Sequence, residues 1–273
     1  MSSATDKDYV LGTHDEEIER LGLQHRVWRP TVLDCWSQAG ITTGMQVLDV
    51  GAGPGYAALD LAEIVGPAGR VLAVERSRRF ISVAERSCRL RQLSQVTFQE
   101  ADIMLEPIQA AGFDAAWCRW VTSFVSSPAT LMARIHAALK PGGIAIFHEY
   151  ANYATWQLAP TRPQMESFVR EVMASWRAQG GEPDIAFQFP ALLSAAGFRV
   201  RSVQPRIFTI SPRDFMWQWP ASFIEINLTR LQELGRVTAG WAEAVRTEFR
   251  QAQVDPTTWL TTPLVLEIVA SAD

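Results

Sequence analysis

Short apolar runs alternate along most of the chain with stretches of helical period, which predicts strands at 46–50, 70–75, 95–100, 113–118 and 143–149. Helices are predicted between them at 54–65, 77–91 and 127–139. Val71-Leu72-Ala73-Val74 is apolar at every position rather than at alternate ones, as a strand buried on both faces requires. Strands joined through helices give an α/β, doubly wound, mainly parallel sheet. Lys140-Pro141-Gly142-Gly143 ends the last of these helices sharply, because proline cannot continue it and glycine permits positive φ.

Both flanks read as helical cover. Thr13 and Glu16 have capping-box spacing, and Ile18, Leu21, His25 and Trp28 share one face of a helix from about 14 to 28. After Pro30 a second helix runs to Gly40. Beyond residue 150, Pro163 opens a helix to about 178 with Met165, Phe168, Val169, Val172, Met173 and Trp176 in one stripe. Pro190 to Ala196 is a short helix closed by Gly197, and Phe198 to Thr209 a strand. Residues 213–235, with Phe215, Trp217, Trp219, Phe223 and Ile224, are too apolar for a simple surface helix and are interrupted by Pro220. Leu264 to Val269 has the composition of a last strand. The expected organisation is a helical lid over 1–40, a core over 41–150, and cap helices with the final strands over 151–273.

Composition narrows the class of function. Net charge is −4 and no lysine- or arginine-rich tract occurs, so nucleic acid is not expected as a partner. Arg76, Arg78, Arg79, Arg86, Arg89 and Arg91 fall at helical spacing and read as a solvated face. There is neither a long apolar run nor a secretory leader pattern, so a cytoplasmic protein without a membrane span is expected, as monomer or homodimer. Three scattered cysteines, Cys35, Cys88 and Cys118, suit free thiols, and no metal-ligand spacing is present, so no metal is expected.

The most informative segment is Val47-Leu48-Asp49-Val50-Gly51-Ala52-Gly53-Pro54-Gly55-Tyr56, a buried strand entering a glycine turn and then a helix. Glycine there permits unusual dihedrals and close approach of a ligand to the backbone. Dinucleotide binding would favour G-x-G-x-x-G, whereas here the third glycine comes one residue early and Tyr56 stands in its place. Asp49 suits a cationic ligand, or serves to bond the turn amides. Glu75, at the end of the second strand, can accept two hydrogen bonds from a ribose diol, or pair with a surface arginine. Asp102 can accept from an adenine amino group while Ile103 packs on the ring. All three elements fall at carboxyl ends of adjacent parallel strands, where such sheets bind ligands.

Through LDVGAGPGY at 48–56, Glu75, EADI at 100–103 and LKPGG at 139–143, the chain resembles the class I S-adenosylmethionine (SAM)-dependent methyltransferases. It is similar in particular to small-molecule methyltransferases of secondary metabolism that open with Y-x-L-G, here Tyr9-Val10-Leu11-Gly12. The resemblance implies a seven-stranded sheet with an antiparallel last strand at its edge. It places the methionine of SAM near Gly51, Gly53 and Pro54, the ribose at Glu75 beside Arg76, and the adenine at Ala101, Asp102 and Ile103. Arg119 and Trp120 would lie beside the cofactor, and Tyr9 and Gln24 would close over it. S-adenosylhomocysteine would be the product.

Methyl transfer requires alignment of a nucleophile and, for an unionised hydroxyl, a base. His148, Glu149 and Tyr153 follow the fifth strand and are candidates. Tyr9, on a possible lid segment, and His25, otherwise a packed core histidine, are further ones. Ten tryptophans are many for this length. Trp28, Trp156, Trp217 and Phe223 are candidate contacts for a flat, aromatic small-molecule acceptor attacking through oxygen, nitrogen or carbon. Two alternatives stay open: a protein that binds SAM without transferring methyl, such as a rearrangement catalyst, and a peptide or protein methyltransferase.

Overall fold

A computed structural model describes residues 15–273, so Tyr9 and the Thr13 cap lie outside the described residues. The first five strands are β1 (Gln46–Val50), β2 (Arg70–Glu75), β3 (Val96–Glu100), β4 (Phe113–Arg119) and β5 (Leu139–Asn152). All pair in parallel, in the order β3-β2-β1-β4-β5. Helices α2 (Tyr56–Val65), α3 (Arg78–Arg91) and α4 (Pro128–Ala138) make the crossovers, and Ser77 and Ser127 cap the latter two through their hydroxyls. Two apolar clusters, one on each face, sandwich the sheet, which is why its strands carry no alternating pattern.

Two expectations at the flanks are corrected. Residues before the first strand form one helix, α1 (Asp15–Gln38), running straight through Pro30. An interior proline costs about 3 kcal/mol. Val27, Trp28, Val32, Cys35 and Trp36 of this helix are all buried. Burial of two indoles of about 150–250 Å² each, at about 25 cal/mol per Å², outweighs that cost.

The sheet also closes differently from the expectation. Strands β7 (Phe198–Arg206) and β10 (Leu264–Ala272) complete seven strands, in the order β3-β2-β1-β4-β5-β10-β7. The reversed strand β10 lies inside, antiparallel to both β5 and β7, and β7 takes the edge. Composition explains the exchange: β10 is almost wholly buried and apolar, whereas β7 carries Arg199, Arg201 and Pro205, residues suited to an edge.

The strand expected to continue to Thr209 breaks after Arg206. Thr209–Ile210 (β8) instead joins a small second sheet with β9 (Trp259–Thr261) and β6 (Gln157–Ala159), in the order β6-β9-β8. Over it pack α5 (Pro163–Ala178), α7 (Gln218–Glu233) and α8 (Ala239–Val254), while α6 (Phe189–Ala195) supports β7. Pro220 falls in the first turn of α7, where no intrahelical N–H is needed, so it starts that helix rather than interrupting it. Among the described residues no helix is long and apolar enough to cross a membrane.

Candidate active site

The carboxyl ends of β1, β2, β3 and β4 converge on one crevice. Gly51, Gly53 and Gly55 all have positive φ, at 68°, 55° and 81°. Their surroundings differ. A Cβ on Gly51 would meet Val121 at 2.4 Å and one on Gly55 would meet Ala84 at 2.5 Å, whereas one on Gly53 would meet nothing within 4 Å. The outer two glycines are therefore packing requirements, and the middle one borders open space.

Glu75 ties the crevice together. Its Oε2 accepts the Gly53 N–H at 2.9 Å and its Oε1 accepts the Ser77 N–H at 2.8 Å. Burial pushes this carboxyl above its ordinary range, although those amide bonds oppose the shift. Each oxygen keeps a second lone pair for a hydroxyl pair of a ligand. Asp102, at the end of β3, accepts the Met104 N–H through Oδ1 at 2.8 Å, which holds the turn carrying Ile103. Arg76 is exposed and Ala101 buried.

The side chains under the crevice are charged and incompletely partnered. Asp49 is only 2% exposed, its Oδ2 has no partner, and burial raises its carboxyl to about 7. Arg119 Nη1 is likewise buried without a partner; burial lowers this guanidinium to about 10, with Asp49 pulling the other way. Unpaired buried polar atoms are rare and costly, and here an unmatched acid and an unmatched base stand on adjacent strands. Together with the space over Gly53, they fit a zwitterionic amino-acid group.

Helix α1 contributes the crevice's far wall. His25 lies between Asp60 of α2, with Nε2 3.0 Å from Oδ2, and Arg119, whose Nη2 is 3.3 Å from Nδ1. Gln24 accepts from Arg20 at 2.8 Å and from the Trp219 indole at 3.3 Å, and Arg20 donates two buried hydrogen bonds to the Glu17 carboxylate.

Trp120 connects Arg119 to the rings around a second space. It holds a left-handed φ of 52°, costly for a bulky residue and characteristic of functional sites. The Arg119 guanidinium lies 5.0 Å from its ring centroid. Trp120 also stacks on Tyr150 and on Trp219, at 5.5 and 5.9 Å with interplanar angles of 13° and 14°. Tyr150 and Trp219 in turn line a narrow apolar recess with Tyr153, Trp156, Pro220, Phe223 and Pro263.

The candidate bases and acceptor contacts are divided by this geometry. Tyr153, Trp156 and Phe223 line the recess, with burial holding the Tyr153 hydroxyl well above its ordinary range. Trp28 is wholly buried, edge-on to Trp120 and Trp219, and Trp217 stacks on Phe249, so neither lines it. His148 is 0% exposed beneath Trp28 and Trp117, with Nε2 3.0 Å from Glu267. Glu267 also takes two bonds from Arg206; burial alone would raise it, but these partners bring it down to about 2. Glu149 points to the opposite face, bonded to the Ser123 hydroxyl at 2.6 Å and raised by burial to about 7.

Sequence reasoning missed Asp60, Arg20 and Glu17. A signal existed for Asp60, the lone acid in the apolar helical run Tyr56-Ala57-Ala58-Leu59-Asp60-Leu61.

Residues 41–186 match the family described as the methyltransferase domain. The chain belongs to that family. The chain is 28% identical over 120 residues to demethylmenaquinone methyltransferase of Lactococcus lactis, covering 44% of this chain and 46% of that protein. It is 31% identical over 161 residues to 2-phytyl-1,4-naphtoquinone methyltransferase of Nostoc punctiforme, covering 58% and 66%. The chain thus spans about half to two thirds of the length of these relatives. Among solved structures, the (4+2)-cyclase SpnF superposes with a TM-score of 0.56 at 26% identity, covering 89% of this chain and 80% of that one. The family is one of SAM-dependent enzymes, and the seven-stranded sheet with one reversed strand is its class I fold.

Proposed function

We propose that this chain binds SAM in the crevice and methylates a small, flat, mainly apolar acceptor held in the aromatic recess. The observation that carries the reading is that Trp120, next in the chain to Arg119, stacks on two of the rings that line the recess. It also meets the Arg119 charge. When bound, SAM supplies an electrophilic methyl on a sulfonium.

The chain's residues do the rest. Glu75 accepts the ribose hydroxyls, Ala101, Asp102 and Ile103 hold the adenine, and Asp49 and Arg119 pair with the ammonium and carboxylate ends of the methionine. Gly53 leaves room for the ligand to approach the backbone. Tyr150, Tyr153, Trp156, Trp219 and Phe223 exclude water and fix the plane of the acceptor. His148 and Glu149, sealed in the core, hold β5 in place instead of moving a proton. Among the described residues no histidine or carboxylate lines the recess, which favours an acceptor that arrives ionised or attacks through an electron-rich carbon. Residues 15–40 and the helices of 151–273 act as cover for the 41–150 core, whose sheet β7 and β10 complete.

The quinone-methylating relatives make hydroxynaphthoquinols the first acceptors to try. The test is incubation with SAM and a panel of reduced naphthoquinones, phenols, indoles and amines, with S-adenosylhomocysteine and product masses followed by mass spectrometry. Formation of S-adenosylhomocysteine coupled to a product one CH₂ heavier supports the reading. Tight SAM binding with no transfer to any acceptor class defeats it. The likeness to a cyclase favours one second reading, a pericyclic or rearrangement catalyst using the same recess, marked by a product of unchanged mass.

A further inference from the structure

We infer that His25 is a positioning residue for the cofactor's carboxylate, acting through Arg119, and that it makes cofactor binding sensitive to protons; this rests on the SAM reading above. The geometry fixes the ring's chemical state. Arginine only donates hydrogen bonds, so the His25 Nδ1 facing Arg119 Nη2 at 3.3 Å must present its lone pair. The proton then sits on Nε2 and is donated to Asp60 Oδ2 at 3.0 Å. That carboxylate is anchored by Arg29, whose Nε donates to the same oxygen at 2.7 Å. Tyr56 lies against the imidazole at 5.9 Å and 22°, which limits its rotation.

The result is a relay from the exposed Arg29 through the buried Asp60 and His25 to Arg119, drawn from α1, α2 and β4. It orients one nitrogen of the Arg119 guanidinium and leaves Nη1 unpartnered beside the crevice. His25 touches no reacting atom, so its part is to aim a charge.

Protonation would undo the relay. A proton on Nδ1 turns an acceptor into a donor facing a donor, and sets an imidazolium against a guanidinium. The groups facing the ring pull in both directions. Asp60 favours the proton; burial, Arg119 and Arg29 oppose it, and the ring stays below its ordinary value. The neutral, aiming form therefore prevails at neutral pH and is lost on acidification.

Isothermal titration with S-adenosylhomocysteine, which carries the same carboxylate, tests this between pH 5 and 8. His25→Phe removes the acceptor and is expected to raise Kd about tenfold or more at pH 8. His25→Asn places an amide oxygen where Nδ1 stood and should recover most of that loss. Asparagine does not titrate, so the ratio of wild-type Kd to His25→Asn Kd should rise as pH falls, while the titration of Asp49 is shared by both proteins and cancels. If His25→Phe does not fold, His25→Gln, which reaches the Asp60 side only, replaces it. Wild-type binding with Kd unmoved in the variants, or with a flat ratio, overturns this inference alone. No binding by the wild type overturns the SAM reading and this inference with it.

Discussion

Replacing Asp49 by asparagine should stabilise the empty protein and weaken cofactor binding, two effects of opposite sign from one oxygen-to-nitrogen exchange. The carboxyl rises from an ordinary 3.8 to about 7 because burial penalises its charge more than Arg119 relieves it. A carboxyl raised on folding contributes stability below its unfolded value, and that contribution drains away as pH climbs through the folded value. For Asp49 the window runs from about 4 to 7, and at about 1.4 kcal/mol per pH unit the ceiling is about 4 kcal/mol. About 3 kcal/mol of it falls between pH 5 and 8. Asparagine carries no such penalty, so the unfolding free energy of Asp49→Asn, from urea titrations, should gain on wild type by about 3 kcal/mol between pH 5 and pH 8. Over the same range, calorimetry with S-adenosylhomocysteine at pH 8 should show affinity falling about 10- to 100-fold, the loss of a charge-assisted bond to the ammonium. Parallel stability curves for the two proteins would refute the account of the buried charge. Unchanged affinity would refute the placement of the ammonium.

Other substitutions separate folding from binding. Gly55→Ala should destabilise the fold by about 1–3 kcal/mol through overpacking against Ala84, read by thermal melting, whereas Gly53→Ala, which meets no neighbour and bears only the strain of its φ of 55°, should cost less stability and lose cofactor affinity in the same titration. Glu75→Gln can offer an oxygen to only one of the Gly53 and Ser77 amides, and should lose about 1–3 kcal/mol of stability and at least tenfold in cofactor affinity. Trp219→Ala, by opening the recess wall, should raise the acceptor KM more than it lowers kcat in steady-state assays, and an equal fall of kcat alone would argue against acceptor binding there.

Much of the crevice at the strand ends was legible because its chemistry is local. Gly51 to Gly55, Glu75 and Asp102 each end a strand whose apolar run is readable in a window of a few residues, and parallel topology brings those ends together. The partners of the crevice were not legible, since His25 meets Asp60 and Arg119 only after α1 packs across the sheet. Likewise, which parity of β5 faces α1 depends on distant strands: Ile146 and Tyr150 fall in one apolar cluster and Ala145 and Phe147 in the other, leaving His148 under Trp28. Pro30 shows a local breaker overruled by burial. The small sheet pairs Gln157 with Thr261 across about a hundred residues, a separation at which local patterns carry no information.

The interior position of β10 bears on how the molecule is made. Because Leu264–Ala272 is wedged between β5 and β7, those two strands have no shared ladder until the ribosome has passed residue 272. Until then a nascent chain carries two exposed, unsatisfied strand borders flanking a slot, the kind of surface that recruits chaperones or templates aggregation. Assembly of the sheet thus waits until residue 272 has been made, when β10 can fill the gap between β5 and β7.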